Sequence, residues 1–322
     1  MAARVLITGG AGFIGSHLCE RLLGEGREVV CLDNFNDFYD PAVKRDNVEP
    51  LTGNDRFHLF EGDIRDAGLL ERLFREQNPD AVVHLAAMAG VRPSLEDPVL
   101  YADVNVVGTS VLLDAVRRFP VGNFLFASSS SVYGSQEKVP FSETDQVNRP
   151  ISPYAATKVA GEHICYTYHH LFGIPVTCLR FFTVYGPRQR PEMAIHQFAS
   201  LIRAGEEVPV FGSGSSRRDY TYIDDIIDGI MLSLSRPFGY EIFNLGESRT
   251  VELNEVVSLL EDALGARAQI VQLPDQPGDV PITYADISRA REKLGYNPSV
   301  DIETGIDCFI QWFLGEKGGD SS

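Results

Sequence analysis

Val5-Leu6-Ile7-Thr8-Gly9-Gly10-Ala11-Gly12-Phe13-Ile14-Gly15 is the stretch that decides the fold. Val5, Leu6, Ile7 and Thr8 read as a short buried strand, and Ile14, Leu18 and Leu22 then recur on one stripe of an amphipathic helix. Between strand and helix, the Gly9-x-x-Gly12-x-x-Gly15 spacing gives each glycine a task. Gly9 makes the turn, Gly12 lets a pyrophosphate approach the backbone, and Gly15 lets helix and strand pack closely at an anion-attracting helix N-terminus. Phe13 and Ile14 sit inside that cradle. A second strand over 28–32 ends at Asp33-Asn34, where the acidic residue that meets an adenosine ribose is expected. A carboxylate accepts hydrogen bonds from a 2′-hydroxyl and repels a 2′-phosphate, so the expected cofactor is NAD rather than NADP.

Working outward, apolar strand candidates recur at 5–7, 29–32, 57–60, 82–85, 124–126 and 176–179. Helical patterns lie between them, including Leu69-Leu70 with Leu73-Phe74 and the runs 105–119 and 154–172. This alternation predicts an α/β fold of Rossmann type with a doubly wound parallel sheet. After Leu179 the pattern loosens into Tyr185-Gly186-Pro187 and Phe211-Gly212-Ser213-Gly214, short helices at 256–264, 287–294 and 302–313, and a strand-like return at 241–245. The expected organisation is an NAD-binding domain over 1–182, with a return near 219–247, and a smaller interleaved substrate-capping domain over 183–218 and 248–322. Ligand then belongs in the cleft between them, at the carboxyl ends of the strands.

The 322 residues carry 28 Lys and Arg against 45 Asp and Glu, a net charge of −17, which excludes nucleic acid and anionic membranes as expected partners. An anionic substrate must therefore be met by local arginines. Cys19, Cys31, Cys165, Cys178 and Cys308 lie far apart without a C-x-x-C and read as reduced core thiols. The first strand lies too close to Met1 for a signal peptide, and no apolar run approaches the roughly 18 residues of a membrane span. A cytoplasmic protein is expected. His169-His170 are adjacent and so splay apart on a helix, unlike a metal pair; Asp224, Asp225 and Asp228 suit a helix N-terminus without any metal.

The chemistry is carried by Tyr154-Ala155-Ala156-Thr157-Lys158. A Tyr and a Lys four apart project from one helix face, which lets the ammonium favour phenolate. A free phenol titrates near 10, so a base working near neutrality needs roughly 4 kcal/mol of phenolate stabilisation, more than one cation supplies. An oxidised nicotinamide ring is a second positive charge. The serine run 128–131 follows a buried strand at the ligand-facing edge, which favours a functional reading over simple backbone satisfaction.

With the glycine turn, Leu85-Ala86-Ala87, Ser128 to Ser131 before Val132-Tyr133-Gly134, and Tyr154 with Lys158 in order, nearly the whole chain resembles the extended short-chain dehydrogenase/reductase family. Within that family it is similar to the NAD-dependent nucleotide-sugar 4-epimerases, and most to those acting on UDP-glucuronate. The marks are 33–40, Ala89-Gly90-Val91-Arg92, Tyr185-Gly186-Pro187 with Arg190-Pro191-Glu192-Met193, and Gln276-Pro277-Gly278-Asp279-Val280. The resemblance implies a UDP-sugar substrate, a homodimer through the helices around Val111 and Ala160, and Tyr154, Lys158 and Ser129 as catalytic residues. It implies that Asp63 and Ile64 flank the adenine, that Leu85, Ala86, Ala87 and Ser128 line the cofactor groove, and that Asn105 positions the catalytic helix. On the substrate side it implies Arg92, Ser130, Ser131, Thr183, Arg190, Met193, Arg218 on the UDP phosphates, and Asp279 on the uridine ribose.

UDP-galactose epimerases usually carry Arg where this chain has Gln276. A 4,6-dehydratase typically places Asp-Glu where Ser130-Ser131 stand, and a UDP-glucuronate decarboxylase usually places Glu at Ser131. The expected activity is thus 4-epimerisation of UDP-glucuronate to UDP-galacturonate. The alternatives are a UDP-glucose/UDP-galactose epimerase, a UDP-xylose synthase and a non-catalytic NAD-sensing protein.

Overall fold

A computed structural model describes residues 3–274 and 280–317. The first half alternates β1 (Arg4–Thr8), α1 (Phe13–Gly24), β2 (Glu28–Asp33), α2 (Pro41–Val48), β3 (Phe57–Glu61), α3 (Ala67–Gln77) and β4 (Ala81–His84). It continues through α4 (Pro93–Glu96), α5 (Pro98–Ala102), α6 (Thr109–Arg118), β5 (Asn123–Ser129), α7 (Pro153–Phe172) and β6 (Val176–Phe181). The second half holds β7 (Thr183–Tyr185), α8 (Ala194–Ala204), β8 (Glu207–Phe211), β9 (Arg217–Arg218), β10 (Tyr220–Tyr222) and α9 (Ile223–Ser235). Then follow β11 (Tyr240–Leu245), β12 (Val251–Glu252), α10 (Leu253–Leu264), β13 (Gln269–Leu273), α11 (Ser288–Leu294) and α12 (Ile302–Lys317).

Seven strands form one sheet in the order β11-β6-β5-β4-β1-β2-β3, every neighbour parallel. Because side chains alternate along a strand, Val5 and Ile7 join a core cluster with Leu18 and Leu22 of α1, whereas Leu6 joins a second cluster with Leu70 and Leu73 of α3 and Leu112 of α6. A sheet covered on both faces explains why its strands read as unbroken apolar runs. The chain winds outward from β1 to β3, returns to β4 and winds the other way, so a crevice opens at the carboxyl ends of β1 and β4. Beyond β6 the remaining strands make small pairs, β10 with β7, β12 with β9 and β13 with β8, while β11 returns to the edge of the main sheet.

The helix expected from residue 105 begins instead at Pro98, where Asp97 caps the Leu100 amide at 3.0 Å. A π-helical stretch, Asp103–Gly108, joins α5 to α6 and breaks the 3.6-residue period, which hides the upstream turn from a periodicity reading. The continuous helix Pro98–Arg118 is long and apolar enough, by length and composition alone, to cross a membrane. That corrects the expectation that no such run exists. In this structure Leu112, Leu113, Ala115 and Val116 pack into the core, which accounts for part of that apolar character. All five cysteines are free thiols.

Helix α7 carries the Tyr-x-x-x-Lys pair. Ser152 caps the Ala155 amide at 3.1 Å, Pro153 occupies the first turn, and Gly173 ends the helix in the left-handed region. The helix lies close on β5 because Gly161 has no side chain: a β-carbon there would meet the Phe126 ring at 2.3 Å. We predict that Gly161→Ala, which pushes α7 off β5, destabilises the protein by about 1–3 kcal/mol in urea unfolding and lowers turnover by more than it lowers the folded fraction.

Candidate active site

A single cavity of about 380 Å³ runs across the crevice. At one end the turn after β1 is built as the glycine spacing requires. Gly9 has φ +70° and lies so close to the segment after β4 that a β-carbon would meet the Ala86 amide nitrogen at 2.8 Å; at Gly15 a β-carbon would sit 2.2 Å from the Gly9 carbonyl oxygen. Gly12 caps α1 without a side-chain hydrogen bond, so the first amides of the helix point outward with no internal acceptor. This is a cradle for a pyrophosphate, and the residues present fit a dinucleotide.

Asp33 is buried, and its carboxylate accepts from the amides of Ala11 at 3.1 Å and Phe35 at 2.9 Å. Burial raises its pKa, while these amides and the charge of Lys44 act the other way. Lys44 is a cavity residue that the sequence reading missed; its ammonium donates to the Asn36 carbonyl at 2.8 Å and to the Asn36 side chain. The readable signal was Asp40-Pro41, a helix start that places Lys44 in the next turn. Because Lys44 is committed to Asn36, a 2′-phosphate would face the Asp33 carboxylate.

Phe13, Ile14, Asn34, Asp63, Ile64, Leu85, Ala86 and Ala87 all line the cavity. The Asp63 carboxyl, held by Arg65 at 2.7 Å and by Asn34 at 3.0 Å, is drawn down to about 2, chiefly by the Arg65 hydrogen bond. Asn105 lies beneath the cavity rather than in its wall. Its amide clasps the Met88 backbone at 2.8 and 2.9 Å and donates to Thr157 of α7 at 3.0 Å.

At the other end Ser129, Ser130, Ser131, Tyr154, Lys158, Thr183, Arg190 and Met193 converge on the same cavity. The Ser129 hydroxyl donates to the Ser131 hydroxyl at 3.1 Å and lines the cavity beside Tyr154, where it acts to lower the phenol's pKa. Lys158 is buried and donates to the Ala127 carbonyl at 2.7 Å, with its nitrogen 5.9 Å from the centre of the Tyr154 ring. Burial pushes Tyr154 up, and the groups that pull it down are Ser129 and Arg190. Lys158 is itself desolvated, which lowers its pKa to about 8, and its proton is turned to a backbone oxygen. Arg190 pairs with Glu192 at 3.1 Å.

Some expected site residues lie elsewhere. Ser128 borders the cavity, but its hydroxyl donates to Glu162, buried on α7, and so is spent away from the groove. Arg92 does not line the cavity; its guanidinium stacks 4.4 Å over the Phe211 ring at the end of β8, because an exposed cation gains from an aromatic face. Arg218 also lies outside the cavity, on β9 against β12. Asp279 lies outside the described residues. Asp225 accepts from the Ser299 and Val300 amides and Asp228 pairs with Arg21, while His169 bonds the Ile174 carbonyl.

A parallel sheet with a glycine cradle, and a Tyr-x-x-x-Lys helix at its carboxyl edge, define an extended short-chain dehydrogenase/reductase. The chain belongs to the family described as GDP-mannose 4,6 dehydratase, whose profile matches residues 6–308. It is 42% identical over 308 residues to the UDP-glucuronate 4-epimerase of Thermodesulfobacterium geofontis, covering 95% of each chain. It is 43% identical over 335 residues to UDP-glucuronate 4-epimerase 4 of Arabidopsis thaliana, covering 98% of this chain and 76% of that one. The UDP-glucuronic acid 4-epimerase of Bacillus cereus, solved in complex with UDP-glucuronic acid and NAD, superposes with a TM-score of 0.92 at 38% identity, covering 97% of this chain and 99% of that one.

The site makes two predictions about the cofactor. Calorimetry should show NAD bound at least about a hundredfold more tightly than NADP, from like-charge repulsion of a 2′-phosphate by Asp33; equal affinities would remove that role. The Lys158 ammonium loses its proton as pH rises through about 8, so NAD affinity should fall across that range, and Lys158→Met should flatten the dependence.

Proposed function

We propose that this protein is an NAD-dependent 4-epimerase that converts UDP-glucuronate to UDP-galacturonate through a transient 4-keto sugar. The observation that carries the reading is one cavity in which the glycine cradle and Asp33 stand at one end and Tyr154, Ser129, Lys158 and Arg190 at the other. Held by the glycine cradle and Asp33, NAD would supply a reversible hydride acceptor for carbon 4 of the sugar.

Tyr154 takes the proton of the sugar 4-hydroxyl, with Ser129 sharing that hydrogen bond, and gives it back when the alcohol re-forms. Lys158 holds the nicotinamide ribose. Because burial raises the phenol, the base depends on positive charge around it, from Arg190 and from the oxidised ring. The 4-keto sugar must turn over while staying bound, so the UDP end needs its own anchor, for which Arg218 and Asp279 are our candidates. The intermediate is a β-keto acid, which loses carbon dioxide most easily when its carboxylate stands perpendicular to the ketone. Arg190, Ser130 and Ser131 hold that carboxylate at another angle, and a charge-assisted pair contributes about 1.5–3 kcal/mol, enough to bias the outcome ten- to a hundredfold. Two serines in the turn after β5, in place of the acids of a dehydratase, also favour epimerisation.

The same reading divides the chain into a nucleotide unit, 1–182 with 219–247, and a substrate unit, 183–218 with 248–322. It places the enzyme in the cytoplasm as a homodimer through the helices around Val111 and Ala160.

Chromatography of products formed from a panel of UDP-sugars tests the proposal. The acid pair should interconvert with little UDP-pentose; faster interconversion of UDP-glucose and UDP-galactose would make the neutral-hexose epimerase the better reading. Tyr154→Phe should cut turnover at least about a hundredfold with NAD binding retained. Arg190→Ala should weaken UDP-glucuronate binding about tenfold and raise the ratio of UDP-pentose to UDP-galacturonate.

A further inference from the structure

Three successive residues at the end of β5 engage one face of α7. Lys158 donates to the Ala127 carbonyl at 2.7 Å, the Ser128 hydroxyl donates to Glu162, and Ser129 faces the same cavity as Tyr154. Their helix partners, 154, 158 and 162, are spaced by four and lie on one face. Tyr154 and Lys158 reach the cavity, whereas Glu162 does not. It is 4% exposed and held by Arg180, itself 2% exposed, through two parallel bonds of 2.9 and 2.8 Å. Arg180 also donates to the Tyr133 hydroxyl at 3.0 Å, and Tyr133 donates to Asn244 at 2.7 Å. Tyr133 ends the 3₁₀ turn Ser130–Tyr133, which carries Ser130 and Ser131.

One buried ion pair therefore touches both segments that supply hydroxyls to the cavity: the strand end through Ser128 and the turn through Tyr133. Buried pairs add little net stability, because desolvation offsets the attraction, but their directional bonds fix the groups they hold. We propose that Glu162 and Arg180 are the positioning pair of this active site, setting Ser129 against Tyr154 through Ser128, and Ser130 and Ser131 through Tyr133. The inference rests on reading Tyr154 and Ser129 as the proton-transfer pair.

Loss of the Ser128 arm tests it without breaking the ion pair. Ser128→Ala should lower kcat about fivefold, the rate equivalent of one hydrogen bond, and leave KM within about twofold. In a Ser129→Ala background the same change should cost nothing further, since its effect passes through Ser129. Glu162→Gln, which also loosens the Tyr133 arm, should lower kcat further and keep part of its effect in the Ser129→Ala background. A second readout needs no substrate: the phenolate absorbance that Tyr154→Phe removes, titrated in the presence and absence of Ser128. The charged and titratable groups around that phenol are Lys158 on α7, Tyr101 on α5, and Arg190 beyond β7, and all three stay in place. Ser128→Ala should shift the phenol titration upward by letting Ser129 move away from the phenol. An unchanged kcat with an unchanged titration, or an equal loss with and without Ser129, would overturn the proposal. Should the wild type turn over no UDP-hexose, the functional reading fails, and the titration alone still decides the positioning role.

Discussion

The contact between α7 and β5 is the constraint on which the rest of the site depends. Gly161 lets the helix backbone settle against Phe126, and at that separation Lys158 reaches the Ala127 carbonyl and the Tyr154 phenol meets Ser129. A helix held further out by one methyl group would carry the phenol away from the strand end. Close packing transmits such a shift, because interiors of this density have no slack to absorb it. The glycine turn after β1 obeys the same logic at the other end of the cavity, where the backbone of Gly9 presses on that of Ala86.

Burial and charge pull against each other in this site. Removing Tyr154 and Lys158 from water disfavours the ionised form of each, raising the phenol and lowering the ammonium to about 8. A phenol in such surroundings ionises more readily when positive charge lies beside it, and Arg190 supplies part of that charge. In a chain of net charge −17 the cations are placed one by one. Lys44 is tied to Asn36 near Asp33, Arg180 is locked to Glu162 behind the serines, and Arg190 rests on Glu192 at the cavity wall.

These placements separate the two ends of the cavity by chemistry. The cofactor end offers backbone amides, a carboxylate and apolar walls, which suit a pyrophosphate and a ribose. The sugar end offers hydroxyls and a guanidinium, which suit a polyhydroxylated ring with an acid group. Both ends lie where the strand order reverses between β1 and β4, the position at which a doubly wound sheet leaves its crevice.

Local spacing made much of this legible in the sequence. The glycine triplet, Asp33, and Tyr154 with Lys158 are short-range patterns whose geometry follows from a turn, a strand end and a helix period, and each reaches the cavity. The upstream half of the helix Pro98–Arg118 was not legible, because a π-helical stretch interrupts its period. Nor were Glu162 and Arg180, whose roles depend on each other across the α7–β6 connection, nor the turning of Ser128 away from the groove. Where Arg92 and Arg218 stand relative to this cavity, against Phe211 and on β9, was likewise not readable from their motifs. The sequence by itself thus determined which chemical groups the site contains, since a motif specifies residues a few positions apart. Tertiary structure alone decided which way each side chain faces and what charge surrounds it, because both depend on contacts between segments that meet only when the sheet closes.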